Sequence, residues 1–229
     1  MKRKVIVISL GGSLIVPKEI DYSFLKNFKK TMQKNYRKYR FVVVCGGGSI
    51  AREYISILKA QGKSIKEQAL AGIRATRMNA SFLIQLFGNE VDSELPKSSK
   101  EVKFNLMKNN IVFCGALRYG KNETSDGTAA KLAKHFKTDL INMSNVAGLY
   151  TSNPLKNKKA KLIQKISWDK FEKIANKIKY KPGQHFVLDQ QAAKVIKKYK
   201  IKTYLIGSNA KNLNNLLNGK KFIGTVIEG

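Results

Sequence analysis

The run "KVIVISLGGSL" (Lys4–Leu14) decides the fold of this chain: an uninterrupted apolar strand leads straight into a Gly-Gly-Ser turn. Strands that are apolar at every position, rather than at alternate ones, are buried on both faces and belong to parallel sheets covered by helices. Glycine at the end of such a strand lets backbone N–H groups close on an anion, because no Cβ stands between them. The nearest lysine downstream is Lys18, which leaves open what would balance the charge of a phosphate held there.

Working outward, the same pattern returns. "FVVVC" (41–45) is a second apolar strand, followed by "GGGS" (46–49) and a helix from Ile50 to about Ala60 that carries Arg52 one turn in. "NNIVFCG" (109–115) is a third strand ending in glycine. Between them, Phe24, Phe28 and Met32 share one face of a helix in "DYSFLKNFKKTMQKNY". A long amphipathic helix starts at Ser64, where Ser64 and Glu67 have capping-box spacing, and runs through "EQALAGIRATRMNASFLIQLF". Gly72 inside it costs roughly 1 kcal/mol relative to alanine, so its presence points to close approach by a neighbour or a ligand. A helix at 125–136 and the strand "TDLINMS" (138–144) come next, then the polar loop "NVAGLYTSNPLKN". The remainder reads as a helix at 167–177, the loop "YKPGQHF", a helix at 188–199, the strand "KTYLI" (202–206), a short helix at 209–218 and a last strand "FIGTVI". Strands alternating with helices predict an α/β fold with a mostly parallel sheet covered on both sides. Such sheets bind ligands at the carboxyl ends of their strands, where the glycines fall.

With 229 residues, 43% of them hydrophobic, the chain buries a real core and reads most simply as one domain over 1–229; the polar stretch at 146–160 is the best place for a boundary between two lobes. No apolar run approaches the ~20 residues that span a bilayer, and "MKRKVIVISLGGS" lacks the longer apolar segment and cleavage site of a signal peptide. The expectation is a soluble, cytoplasmic protein with no membrane partner. Cys45 and Cys114 each close a strand and read as small buried hydrophobes. His135, in a helical pattern, and His185, in a loop, form no metal-binding cluster with them, and no residue is assigned as a metal ligand. The net charge of +29, from 44 Lys+Arg against 15 Asp+Glu, is spread over most helices and loops. It reads as solvated faces; nucleic acid is not favoured as a partner, because no aromatic platform interleaves with the lysines.

Three glycine turns directly after strands, at 11–13, 46–49 and 114–115, suggest one phosphate-binding edge. Neither G-x-x-x-x-G-K-[ST] nor G-x-G-x-x-G is present, so the edge belongs to neither of the commonest phosphate motifs. A phosphoryl-transfer site of this kind builds its charge from turns, scattered basic side chains and magnesium.

In chain order, "VISLGGSLI", "VVVCGGGSIAREY", "AGIRATRMNA", "TSDGTAAKLA", "SNVAGLYTSNP" and "LDQQAAKVI" resemble the amino acid kinase superfamily, and within it most resemble the archaeal uridylate (UMP) kinases. The stretches at 72–80 and 145–150 discriminate best. The resemblance implies a three-layer α/β/α sandwich, with an acceptor-binding lobe over about 1–145 and an ATP-binding lobe over about 146–229. It implies a UMP kinase of pyrimidine biosynthesis, with ATP and Mg2+ as cofactors and UMP as acceptor. By the same resemblance Gly11, Gly12 and Ser13 approach the ATP phosphates, and Gly48 and Arg52 face the transferred phosphate. Gly47 touches UMP, the segment from Leu117 to Ser125 binds it, and Thr124 and Ser125 hydrogen-bond at its end. Asp126 sits near the reaction centre with Arg52 and Ser9, while Ser144, Asn145, Tyr150 and Asn153 line the nucleoside part of the ATP site. Thr124-Ser125-Asp126 also reads as an ordinary helix cap. Aspartate at 189, where carboxylate-phosphorylating relatives have lysine, favours a nucleotide acceptor. Relatives assemble as hexamers through a long helix; the apolar face at Ile73, Phe82 and Phe87 is either that interface or core.

Four positions depart from the family's pattern. Ser9 stands where most of the superfamily has a catalytic lysine, which leaves Arg52, Lys18 or a metal to supply charge. Ala69 replaces the aspartate that holds the acceptor ribose, unless Glu67 or Gln68 turns in. Ala147 and Asn153 replace two further aspartates. The departures leave three outcomes: a slower UMP kinase, a kinase of another small phosphate such as isopentenyl phosphate, or a nucleotide- or RNA-binding relative without turnover.

Overall fold

The computed structural model describes residues 3–120, 123–154, 157–177 and 188–229; the loop "YKPGQHF" with His185 lies outside the described residues. The chain begins with β1 (Lys4–Leu10), a short α1 (Gly12–Ile15), α2 (Tyr22–Asn35), β2 (Tyr39–Cys45), α3 (Gly48–Ala60) and α4 (Ile65–Phe87). It continues through α5 (Ser99–Lys108), β3 (Ile111–Cys114), α6 (Ser125–Phe136), β4 (Leu140–Met143) and β5 (Lys165–Ile166). It closes with α7 (Trp168–Asn176), α8 (Gln190–Lys198), β6 (Thr203–Ile206), α9 (Ala210–Leu217) and β7 (Gly224–Ile227). The predicted elements are present, and their ends shift by a residue or two. Three elements were not predicted: the four-residue α1, read as a turn, α5, and the two-residue β5.

The strands form one seven-stranded sheet in the order β3-β2-β1-β4-β6-β7-β5, parallel except where β7 runs against β6. Because every residue of β1 and β2 after the first two is buried, both faces of the sheet are covered. Ile6, Ile8 and Leu10 point into one core with α2, α4 and α9, where Phe87 packs at 4.6 Å on Phe113. Val7, Val42 and Val44 point the other way, into a second core with α5, α6 and α8. Two cores on either side of one sheet make the three layers. Cys45 and Cys114 are free, buried, and on opposite faces.

The helix face at Ile73, Phe82 and Phe87 resolves as interior: Ile73 and Phe87 are buried and Phe82 packs on the first core. No described helix is long and apolar enough to cross a membrane. The topology then locates the site. From β1 the chain steps outward to β2 and β3, then returns to β4 on the other side of β1, so the strand order reverses between β1 and β4.

Candidate active site

At that reversal a cleft of about 740 Å³ opens over the carboxyl ends of the strands. Its floor is made of glycine turns. Gly11 N–H donates to the Met143 carbonyl at 2.9 Å and Gly46 N–H to the Leu10 carbonyl at 2.8 Å, which ties the turns after β1, β2 and β4 together. A Cβ on Gly12 would lie 2.0 Å from the backbone nitrogen of Gly48 and 2.6 Å from the carbonyl carbon of Gly46. Gly48 has φ +68°, a conformation that side chains other than glycine rarely adopt. The two turns are thus pressed backbone to backbone, and only glycine fits at their contact.

Helix α4 secures this floor from behind. Ser64 caps it, accepting from Glu67 N–H while the Glu67 carboxylate accepts from Ser64 N–H, as the spacing predicts. Further along, Asn79 Nδ2 donates to the Gly46 carbonyl at 2.7 Å. Thr76 Oγ1 donates to the Ile73 carbonyl and accepts from Ala116 N–H at 2.9 Å. Arg77 donates from Nε to the Ala116 carbonyl and from Nη2 to the Leu117 carbonyl. The discriminating "ATR-x-N" stretch therefore acts through three polar side chains that fix the turns after β2 and β3. Gly72 makes the close approach its position suggested: a Cβ there would stand 3.3 Å from Ile55 Cδ1 on α3.

The opposite flank is carboxylate. Thr124 caps α6 by accepting from Gly127 N–H at 2.9 Å, and Asp126 in the first turn receives the Ser9 Oγ hydroxyl at 2.7 Å. Asp189 caps α8, accepting from Ala192 N–H at 2.9 Å. Burial, and then the neighbouring charge of Asp189, push the Asp126 carboxyl up to about 7 against the lowering effect of the Ser9 hydroxyl. Burial also raises Asp189, opposed by the Thr124 hydroxyl and the backbone N–H groups of Ala192 and Gln191. Glu123 beside them is paired with Lys131.

Most of the predicted site residues line this one cleft: Gly11, Gly12, Ser13, Gly47, Gly48, Arg52, Ala69, Thr124, Ser125, Asp126, Ser144, Asn145, Tyr150 and Asn153. Two do not. Ser9 is 1% exposed and stands behind Asp126, and Leu117 packs on the second core with its carbonyl taken by Arg77. Ser9 therefore reaches the cleft only through Asp126. Lys18 is exposed on its loop and absent from the cleft wall, so Arg52 is the only basic side chain lining the cleft among the described residues. Neither candidate replacement for a carboxylate at 69 turns in: Glu67 is held in the Ser64 cap, and Gln68 Nε2 donates to the Lys63 carbonyl at 2.8 Å. Asn142 was missed. It lines the cleft from β4, directly across from Ser9 in the strand register, and its only signal was one polar residue in the apolar run "LINM".

Comparison with known proteins agrees with this fold. The sequence profile of the Amino acid kinase family matches residues 4–207. A uridylate kinase of Thermococcus kodakarensis is 34% identical over 225 residues, covering 97% of this chain and 99% of its own. A uridylate kinase of Methanocaldococcus jannaschii is 34% identical over 232 residues, covering 98% and 99%. The crystal structure of a uridylate kinase from Archaeoglobus fulgidus superposes with TM-score 0.82 at 33% identity, covering 97% of this chain and 99% of the other.

Proposed function

Because this chain belongs to the amino acid kinase family, we propose that it transfers the γ-phosphate of ATP to UMP, giving ADP and UDP. The single observation that carries the reading is the fused glycine floor, in which two strand-end turns are pressed together and line one cleft beside one guanidinium. That is a cradle for two phosphorylated molecules rather than one.

The acceptor is a phosphate already ionised at neutral pH, so no general base is required and catalysis reduces to alignment and charge stabilisation. Gly11, Gly12 and Ser13 hold the donor phosphates, Gly47 holds the acceptor, and Gly48 faces the transferred phosphate. Arg52 is the cation for the group in flight. It takes the part left vacant by serine at position 9, since Lys18 stays outside the cleft. Thr124 and Ser125 bind the far end of UMP, and Ser144, Asn145, Tyr150 and Asn153 take the nucleoside of ATP. The acceptor half spans about 1–145 and the donor half about 146–229.

Magnesium fits this donor set. Among the described residues no group of three or more His, Cys, Asp or Glu side chains is arranged to hold a metal. Magnesium, however, is commonly held by one or two carboxylates together with substrate phosphates. Asp126 and Asp189 border the cleft, among the described residues neither forms an ion pair, and a divalent ion would relieve their mutual repulsion. When bound with ATP, magnesium neutralises charge on the phosphate oxygens. Ser9 fixes the direction of the Asp126 carboxylate toward that place. The reading extends to a cytoplasmic homo-oligomer, as the family resemblance implies.

The relatives named uridylate kinase support UMP over an acceptor without a base. The test is ADP release from ATP with UMP and Mg2+, using the purified, folded chain; no release with UMP at any magnesium concentration would overturn the proposal.

A further inference from the structure

The acceptor, on the reading above, lies between the turn at Gly47 and helices α3 and α4. We infer that this wall does not recognise the sugar hydroxyls, so that the protein takes 2′-deoxynucleoside monophosphates, dUMP first among them, as readily as UMP.

The wall is apolar. It consists of Ala51 and Ile55 from α3 and Ala69, Gly72 and Ile73 from α4. It is continuous with the phosphate turn, because a Cβ on Gly47 would meet Ala51 Cβ at 2.4 Å and stand 3.5 Å from the Gly72 carbonyl. A nucleotide whose phosphate sits at Gly47 and whose sugar lies toward α3 and α4 meets these five residues.

The polar side chains that α4 carries nearby are already engaged, and Arg52 on α3 is given to the transferred phosphate. Thr76 Oγ1 is shared between the Ile73 carbonyl and Ala116 N–H. Gln68 is buried with its amide on the Lys63 carbonyl, and Glu67 is exposed in the helix cap. The carboxylates lining the cleft among the described residues, Glu123, Asp126 and Asp189, all stand on the α6–α8 flank. A 2′-hydroxyl turned toward α4 meets the side chains of Ala69 and Ile73, and the one side-chain hydroxyl near them, Thr76, already has two partners.

The size of the effect follows from a general asymmetry. A site built to hydrogen-bond a hydroxyl rejects the analogue lacking it by roughly 10⁴–10⁵, whereas an apolar pocket separates the two by about 10² at most. With no partner offered, dropping the hydroxyl removes nothing and spares its desolvation, so kcat/KM for UMP and dUMP should agree within about ten-fold.

The experiment measures kcat/KM for UMP and dUMP with ATP and Mg2+, and calorimetric Kd for both nucleotides, on the full chain and on Ala69→Asp. Values within about ten-fold for the natural chain, with a shift of about ten-fold or more toward UMP in Ala69→Asp, are the expected result. A preference for UMP above about hundred-fold in the natural chain overturns the inference while leaving the kinase reading intact. Absence of turnover with either nucleotide removes the kinase reading alone. The two Kd values then decide the inference directly: similar values support it, and binding of UMP alone, or of neither, overturns it.

Discussion

At the floor of the cleft the glycine turns after β1 and β2 leave no room for one methyl group, whereas on the α6–α8 flank two carboxylates share a space and, among the described residues, form no ion pair. The floor is set by shape and by the hydrogen bonds that tie its turns together. The flank is set by charge that folding compensates only in part, through the Ser9 and Thr124 hydroxyls and backbone N–H groups. Residues of the first kind stabilise both fold and site; those of the second hold a function at the expense of the fold.

The comparison breaks most readily at the floor. Gly12→Ala forces apart two backbones that meet at 2.0 Å from the new Cβ, and a loss of about 4 kcal/mol or more in urea unfolding is expected, with activity abolished. A variant of ordinary stability would show that the turns can separate. Next, Arg52→Gln should leave unfolding unchanged and lower kcat by about 10²–10³, as expected for removing one charge-stabilising group. An unchanged kcat would move that charge elsewhere. Third, Asn79→Leu leaves the Gly46 carbonyl buried without its donor and should cost about 1–3 kcal/mol, detected by the same unfolding experiment.

The flank should respond with the opposite sign. Asp126 titrates at about 7 in the folded protein against an ordinary 3.8, so between those values the folded state keeps a proton that the unfolded chain has released. Its contribution to stability therefore falls as pH climbs from about 4 to 7 and stays reduced above. Asp126→Asn removes the charge and should raise Tm at pH 8 by a few degrees, at roughly 2–4 °C per kcal/mol relieved, with the gain fading toward pH 4 and with loss of turnover. A Tm lowered at pH 8 would mean that the pair is compensated after all. Smallest of all, Lys4→Ala breaks an exposed ion pair with Asp139 and should change stability by no more than about 0.5 kcal/mol.

How much of this could be read from the chain alone divides along the same line. Continuous apolar runs and the glycines closing them are local signals, so β1, β2, β3 and the floor were legible. The polar supports were not, because nothing within a helix says what a buried side chain will reach. Thr76 meets a backbone N–H 40 residues away, and Ser9 meets a carboxylate 117 residues away. Position 9, placed at the reaction centre by the resemblance, is buried behind Asp126 and donates to its carboxylate. Helix α5 escaped because only Val102 and Leu106 of its ten residues are buried, too few to show a period in a stretch of lysine, glutamate and asparagine. A strand of two residues such as β5 has no period at all.

The mutual contact of Gly12 with Gly46 and Gly48 also limits how such a protein can be rebuilt. Neither loop is a module that can be exchanged for a relative's version by itself, since each supplies the van der Waals surface against which the other is moulded. The smallest transplantable unit is both loops with the asparagine that clamps them, and a chimaera that divides this trio would inherit two halves of different moulds.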